Sequence, residues 1–270
     1  PAALNSFLDM VQILVDMLMV GRISSLSLAA IGLAMQIIMF LGTIIGIFYV
    51  GSNALISRLV GSGDLEDASK ASFSLILLSF IAALPIAILW YFIADPLLSL
   101  LGAIPEVVSV GASYVQILSF AIPLIFVRQV MTSSLNSAGD TKTPFYIKLF
   151  AITLNIILNY LLIFGHFGFP ALGVDGAAYG TLITYVVEFL IYLWLYISNR
   201  AKLPLIFIYD YALVKRALKV GVPAGIERML TMSSFMFFTA VITSFGTATL
   251  AGYQVGLRIE GLAFMPGLGF

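Results

Sequence analysis

The chain of 270 residues is 61% hydrophobic and only 10% charged, and its formal net charge is zero. Soluble domains are about 45–50% apolar and about 25% charged, so this composition excludes a water-soluble globular protein, which would aggregate. The absence of cysteine and the single histidine, His166, exclude disulfides, thiolate metal sites and histidine-rich metal sites, and no basic run is long enough to indicate a nucleic-acid partner.

Apolar stretches long enough to cross a bilayer recur along the whole chain, separated by polar segments such as GSGDLED. A spanning helix needs about 20 mostly apolar residues. We therefore predict an all-α polytopic membrane protein with spanning helices at 1–21, 27–57, 69–94, 106–135, 143–165, 174–198, 221–244 and 248–270. Because the chain begins and ends within apolar sequence, we expect it to belong to a longer membrane protein.

A charged stretch divides this pattern into two parts. Residues 210–220, DYALVKRALKV, are too short and too charged to span, and they predict an amphipathic helix on the membrane surface. We therefore predict an N-terminal lobe of about six spans over 1–198, a cytoplasmic linker over 199–220 and the start of a C-terminal lobe over 221–270.

Lysine and arginine are distributed unevenly between the two sets of alternate loops. The loops after predicted spans two, four and six contain Arg58, Lys70, Lys142, Arg200, Lys202, Lys215, Arg216 and Lys219. The loops after spans one, three, five and seven contain Arg22 alone. Basic residues concentrate in cytoplasmic loops, so we predict that the first set of loops is cytoplasmic and that span one runs outward.

The sequence contains a weak internal repeat. Aligning Pro1 with Pro223 without gaps also aligns Leu8 with Leu230, Met10 with Met232, and Leu28 with Leu250. Predicted spans seven and eight thus look like a second copy of spans one and two. An even number of spans separates the copies, so both cross in the same direction, as in the parallel repeats of secondary transporters. This predicts a full protein of about twelve spans in two six-helix lobes.

Several segments then resemble one known family. They are VDMLMVGRISSLSLAAIGLA in span one and its exit, LNSAGDTKTP after span four, NIILNYLLIFG and LGVDGAAYGT in spans five and six, VGVPAGIE opening span seven, and LAGYQVGLRI in span eight. In order and spacing they are similar to the multidrug and toxic compound extrusion (MATE) family, over essentially the whole chain. The resemblance implies two six-helix lobes and export of cationic or amphipathic drugs in exchange for H⁺ or Na⁺, with no other cofactor, across a bacterial or archaeal inner membrane.

Two carboxylates lie within the first predicted span. Asp16 is surrounded by apolar residues, and placing a charge at the centre of a spanning helix costs about 2.5–3.5 kcal/mol of free energy. Asp9 precedes Asp16 by two helical turns and lies on the same face of the helix. An ion-driven exporter needs such a carboxyl to exchange a proton or hold a sodium ion. We predict cation coupling at Asp16 and, secondarily, at Asp9. The alternative is that each bonds to a neighbouring helix as a structural contact.

Span five supplies amide partners for such an acid. Asn155 and Asn159 are four residues apart and share a helix face, and amide oxygens suit Na⁺ or a hydrogen bond from a protonated carboxyl. The resemblance implies that Asp16, Asn155, Asn159 and Thr181 cluster in the first lobe to bind H⁺ or Na⁺. Some family members carry aspartate in place of Asn159, which leaves the identity of the ion open. Interhelical hydrogen bonding is the structural alternative.

Other polar residues are candidates for substrate contact. Tyr114 and Gln36 add polar atoms to the first lobe, and the resemblance implies that Glu227 can bind a cationic substrate. A purely structural role is the alternative for each of them. Arg128 either reaches toward the cytoplasm or pairs with an acid, and Glu188 is a possible partner or cavity residue.

Three other function classes are alternatives to an exporter. A lipid-precursor flippase of the same superfamily would need an arginine-lined cavity, an integral-membrane enzyme would need a catalytic cluster, and a channel would need a filter. The sequence favours none of these. We predict a monomer in the lipid bilayer that binds small amphipathic or cationic molecules, and we expect these 270 residues alone not to transport.

Overall fold

The computed structural model describes residues 2–243, except for the side chains of 2–7, 9, 10, 25, 236, 239, 240 and 243. The predicted span 248–270 and the side chain of Asp9 therefore lie outside the described residues. The described part is helical, with α1 Ala2–Gly21, α2 Ser25–Gly61, α3 Leu65–Leu100, α4 Pro105–Ser119, α5 Ile122–Ser137, α6 Lys142–Phe164, a 3₁₀ turn His166–Gly168, α7 Val174–Ile197 and α8 Tyr211–Thr243.

Within the described residues, α2, α3, α6 and α7 are each long and apolar enough to cross a membrane, and α4 with α5 qualify together as a fifth. Helices α2 and α3 extend past their predicted ends. The Ser24 and Asp64 side chains accept hydrogen bonds from the backbone N–H groups of Ser27 and Asp67, at 3.0 and 3.2 Å. Such polar caps begin a helix outside its apolar stretch, so apolar length alone underestimates it.

The predicted span over 106–135 consists of two helices, α4 and α5, which are bent by 52° relative to each other. Pro123 lies in the first turn of α5. It has no N–H to donate and its ring conflicts with the carbonyl four residues earlier, at Ser119. The bend therefore falls where proline interrupts the backbone hydrogen bonds.

In place of the predicted surface helix and separate seventh span, α8 runs unbroken from Tyr211 to Thr243. One face of its first turns packs into the bundle, since Leu213, Val214 and Ala217 are buried. The linker boundary predicted at 220 therefore falls inside a helix. The division into two lobes stays a prediction.

Helices α2 and α8 cross with their backbones in contact. A Cβ on Gly51 would lie 2.7 Å from the carbonyl oxygen of Ala217, and one on Gly221 would overlap the carbonyl oxygen of Ile47. No side chain fits between the two helices at this point. Glycine permits such close approach of helices in a membrane.

The loop between α5 and α6 is held by Asp140, whose carboxylate accepts a hydrogen bond from the Thr143 backbone N–H at 3.0 Å. Nearby, Lys202 Nζ donates to the Gly139 carbonyl at 3.2 Å, so the loops after α5 and α7 lie at the same end of the bundle. Burial by itself raises the pKa of the Asp140 carboxyl, but hydrogen bonds from Thr143 and the charge of Lys202 outweigh burial and hold that pKa below its usual value.

We expect Asp140→Ala to lower thermal stability at neutral pH, by about 1 kcal/mol if the interaction is an ordinary helix cap. Because the folded-state pKa is lowered, this stabilisation is present above the unfolded pKa of about 3.9 and is lost as pH falls through the folded value. Thermal unfolding in detergent between pH 7 and pH 2 measures it. Asp140→Asn keeps an acceptor oxygen but does not titrate, so its difference from Asp140→Ala should not follow pH. Equal stability of wild type and Asp140→Ala at pH 7 would contradict the assignment.

Candidate coupling-ion site

Three helices bring a carboxylate, three amides and a hydroxyl together. Asn159 Nδ2 donates to Asp16 Oδ1 at 2.8 Å and also lies 3.3 Å from Asn155 Oδ1. Gln12 Nε2 donates to the same Asn155 oxygen at 3.2 Å, and Asn155 Nδ2 donates to Thr181 Oγ1 at 3.3 Å. The structure thus gathers four predicted cation-coupling residues into one hydrogen-bonded group.

The two contacts between α1 and α6 fix the relative direction of these helices. Gln12 bonds to Asn155 and, one turn later, Asp16 bonds to Asn159. Both contacts therefore advance together along the two helices, which means that α1 and α6 run parallel. An odd number of crossings must lie between them, as α2, α3 and the bent α4–α5 unit supply.

Glycines set the depth at which α7 packs against α6. A Cβ on Gly176 would lie 2.5 Å from the Leu162 carbonyl oxygen, and one on Gly180 would overlap Asn159 Oδ1. These two glycines are one turn apart on α7 and form a small-residue stripe that lets the helices approach closely. Close approach is what brings the Thr181 hydroxyl within reach of Asn155.

Asp16 borders a cavity of about 250 Å³ inside the bundle. Its lining is mostly apolar and aromatic, and polar atoms come mainly from Gln12, Asp16, Tyr114, Ser119, Thr181 and Tyr185. The Trp90 ring also lines the cavity, and its Nε1 is buried with no hydrogen-bond partner among the described residues. The cavity thus combines an acid with apolar walls and an unsatisfied donor, a combination that suits an amphipathic cation.

Of the three residues predicted to contact substrate, one lines the larger cavity and two do not. Tyr114 is buried in the wall of the larger cavity, which Thr181 also lines. Gln36 on α2 and Glu227 on α8 are exposed and line neither cavity found among the described residues. Their predicted contact with substrate is not supported by this cavity, and it stays a prediction for a surface facing a second lobe.

A second, smaller cavity of about 60 Å³ adjoins the first, and both are lined by Gln12, Thr181 and Tyr185. It also contains a partly buried ion pair between Arg128 Nη1 and Glu188 Oε1 at 3.3 Å. Glu188 is thus the partner of Arg128, one of the two possibilities left open by the sequence.

Two residues of the site were not singled out from the sequence. Gln12 lies one helical turn before Asp16, and that spacing was sufficient to suggest it. Gly180 immediately precedes Thr181, but its contact with Asn159 depends on how α6 and α7 pack. No sequence signal indicated that contact.

The group has the donors and acceptors that a small cation needs. The Asp16 carboxylate can take up a proton, and together with the oxygens of Asn155, Asn159 and Thr181 it offers the hard ligands that Na⁺ prefers. Asn159 Oδ1 is buried and has no hydrogen-bond partner among the described residues. A buried acceptor without a donor is unfavourable, and this one lies against Gly180 on α7.

Comparison with known proteins agrees with this architecture. The family model MatE matches residues 1–161, more than half of the chain. The chain belongs to the MatE family. Among curated MatE relatives it is 32% identical to the "Probable multidrug resistance protein YoeA" of Bacillus subtilis over 98% of this chain, and 28% identical to the "Probable multidrug resistance protein NorM" of Bacillus cereus over 94%.

A solved MATE structure supports the same fold. A "multidrug resistance MATE family transporter of the MOP superfamily" in an outward-facing conformation has a TM-score of 0.88 and 27% identity, covering 99% of this chain and 59% of that one. The all-α, multi-pass membrane fold is thereby confirmed, and the family consists of transporters and not enzymes. The chain spans 57–59% of the length of the curated MatE relatives named above.

Proposed function

We propose that this MatE chain forms the first lobe of a secondary transporter that exports cationic or amphipathic molecules in exchange for H⁺ or Na⁺. The observation that carries the proposal is the position of Asp16, which borders the larger cavity and is hydrogen-bonded to Asn159 at 2.8 Å. The relatives named as multidrug resistance proteins support the class of substrate.

Electrostatics explains how one carboxylate couples two ligands. A bare carboxylate in the membrane interior is disfavoured by about 2.5–3.5 kcal/mol, or roughly a hundredfold in population. Binding of a proton, a sodium ion or a cationic substrate at Asp16 removes that free-energy penalty. The ion and the substrate therefore compete for the Asp16 carboxylate. The lobe then changes conformation readily with either ligand bound and rarely when empty, which is the requirement for exchange.

The cavity lining bears on the alternative of a lipid-precursor flippase. Anionic lipid headgroups are usually held by arginine or lysine. Among the described residues, no arginine or lysine lines the larger cavity, and its one formal charge is that of Asp16. This favours a cationic substrate over an anionic one.

The test uses the full-length transporter, meaning this sequence together with the remainder of its second lobe, reconstituted in lipid vesicles. A proton gradient and a sodium gradient are imposed separately, and efflux of a fluorescent organic cation such as ethidium is followed. We expect efflux to follow one gradient and not the other. Transport of no organic cation under either gradient, by protein shown to be folded, would overturn the proposal.

A further inference from the structure

Polar side chains continue beyond Asp16 in a seam between α6 and α7. On α7, Thr181, Thr184 and Glu188 are three and four residues apart and so share one face. On α6, Lys148 precedes Asn155 by two helical turns, and both line the smaller cavity. The seam thus extends about 10 Å along the bundle from Thr181 to Glu188, at 1.5 Å per helical residue.

The two cavities make this seam accessible to water. Gln12, Thr181 and Tyr185 form the wall common to both, so a short polar boundary separates Asp16 from Glu188. Side chains of these types are able to hydrogen-bond to water on either side. The remaining titratable or charged groups described around Glu188 are Arg128 on α5, Lys148 on α6, and Tyr185 and Tyr192 on α7.

Glu188 lies in the half of α7 that is nearer to its C-terminal end. The residue lies nine positions before Ile197, where α7 ends, and the loop that follows contains Lys202, which bonds to the loop before α6. That end of the bundle holds most of the basic loop residues, which predicts that it is cytoplasmic. Asp16 lies near the opposite end of its helix, five residues before Gly21.

We propose that Glu188 is a second proton site on a route through the lobe that connects Asp16 to the cytoplasm. This deepens the proposed function, on which it rests, and takes H⁺ as the coupling ion. The Asp16 O–H bond breaks, water in the two cavities carries the proton, and an O–H bond forms on the Glu188 carboxylate. Glu188 then releases the proton to cytoplasmic water.

Arg128 has a defined part in this step. Its guanidinium Nη1 lies 3.3 Å from Glu188 Oε1 and so positions that carboxylate in the wall of the smaller cavity.

The experiment measures proton release inside vesicles with a pH-sensitive dye, alongside substrate binding, for the full-length transporter. We expect Glu188→Gln to slow substrate-driven proton release by about tenfold or more, as loss of an acid–base group does, with substrate affinity unchanged. Glu188→Asp, which retains a carboxyl, should recover part of the rate. Glu66→Gln is the matched control, since Glu66 forms an exposed pair with Lys70 at 2.7 Å.

A double variant separates a relay from a structural ion pair. Removing one partner leaves an uncompensated buried charge, whereas removing both often restores stability. If the pair is structural, Arg128→Met combined with Glu188→Gln should regain stability and proton release together. We expect it to regain stability but not the rate.

Three outcomes would overturn the inference: normal proton release in Glu188→Gln, full recovery of the rate in the double variant, or coupling of the wild type to sodium alone. Failure of the proposed function would give a different result. Asp16→Asn would then leave efflux unchanged, whatever the behaviour of Glu188.

Discussion

Asp16→Asn should abolish gradient-driven efflux while leaving the protein folded. Asparagine keeps a side-chain oxygen where Asp16 Oδ1 accepts the hydrogen bond from Asn159, so the contact between α1 and α6 survives. The asparagine side chain carries no charge and cannot bind a proton. The site without a ligand then has no buried charge to neutralise, so ion binding no longer drives the transport cycle. We expect cation efflux to fall to the level of protein-free vesicles, at any pH between 5 and 8.

Asp95→Asn is the matched control for that variant. Asp95 also accepts a hydrogen bond from a side-chain amide, Gln116 Nε2 at 3.1 Å, but it is exposed on α3 and does not line the cavity. Its efflux should equal that of the wild type. Undiminished efflux in Asp16→Asn would show that the carboxylate is only a structural contact between helices.

Gly180→Ala should impair coupling far more than it impairs stability. The added methyl group would overlap Asn159 Oδ1, which is the end of a side chain and can turn aside. The fold then survives at modest cost, but Asn159 loses the orientation in which its Nδ2 donates to Asp16. We expect efflux to be slower by about tenfold or more, the scale of losing one positioned hydrogen bond of about 1.5–3 kcal/mol to a charged group.

Two comparisons isolate this effect. Gly42→Ala adds the same methyl group on α2, where a Cβ has open space, and should leave efflux and melting temperature unchanged. If Gly180 acts through Asn159, then Gly180→Ala should add little to the loss already caused by Asn159→Ala. Full additivity of the two changes would show that Gly180 acts on some other part of the lobe.

Much of the fold was predictable because lipid imposes a simple requirement. A span must satisfy its own backbone hydrogen bonds, so apolar length locates helices such as α6, predicted at 143–165 and observed at Lys142–Phe164. Apolar length does not record local backbone chemistry. The continuation of α8 through residue 220 was therefore missed.

The site was predictable in part, for a related reason. A lone acid such as Asp16 among apolar residues is costly, and amides one turn apart share a face, so both stand out in a sequence. The resemblance to MATE transporters supplied Thr181. Which groups meet across helices depends on packing depth, so the sequence did not indicate the contact of Gly180 with Asn159 or the exposure of Gln36.

The crossing of α2 and α8 has a consequence for how these two helices can move. Gly51 and Gly221 leave only backbone between them at the crossing, and one turn further along α8 the Ile47 side chain lies against Gly225. Sliding along either axis would drive the carbonyl of Ile47 or Ala217 into the opposite helix, and rotation would press Ile47 into α8. We therefore expect α2 and this part of α8 to shift together, as one rigid pair.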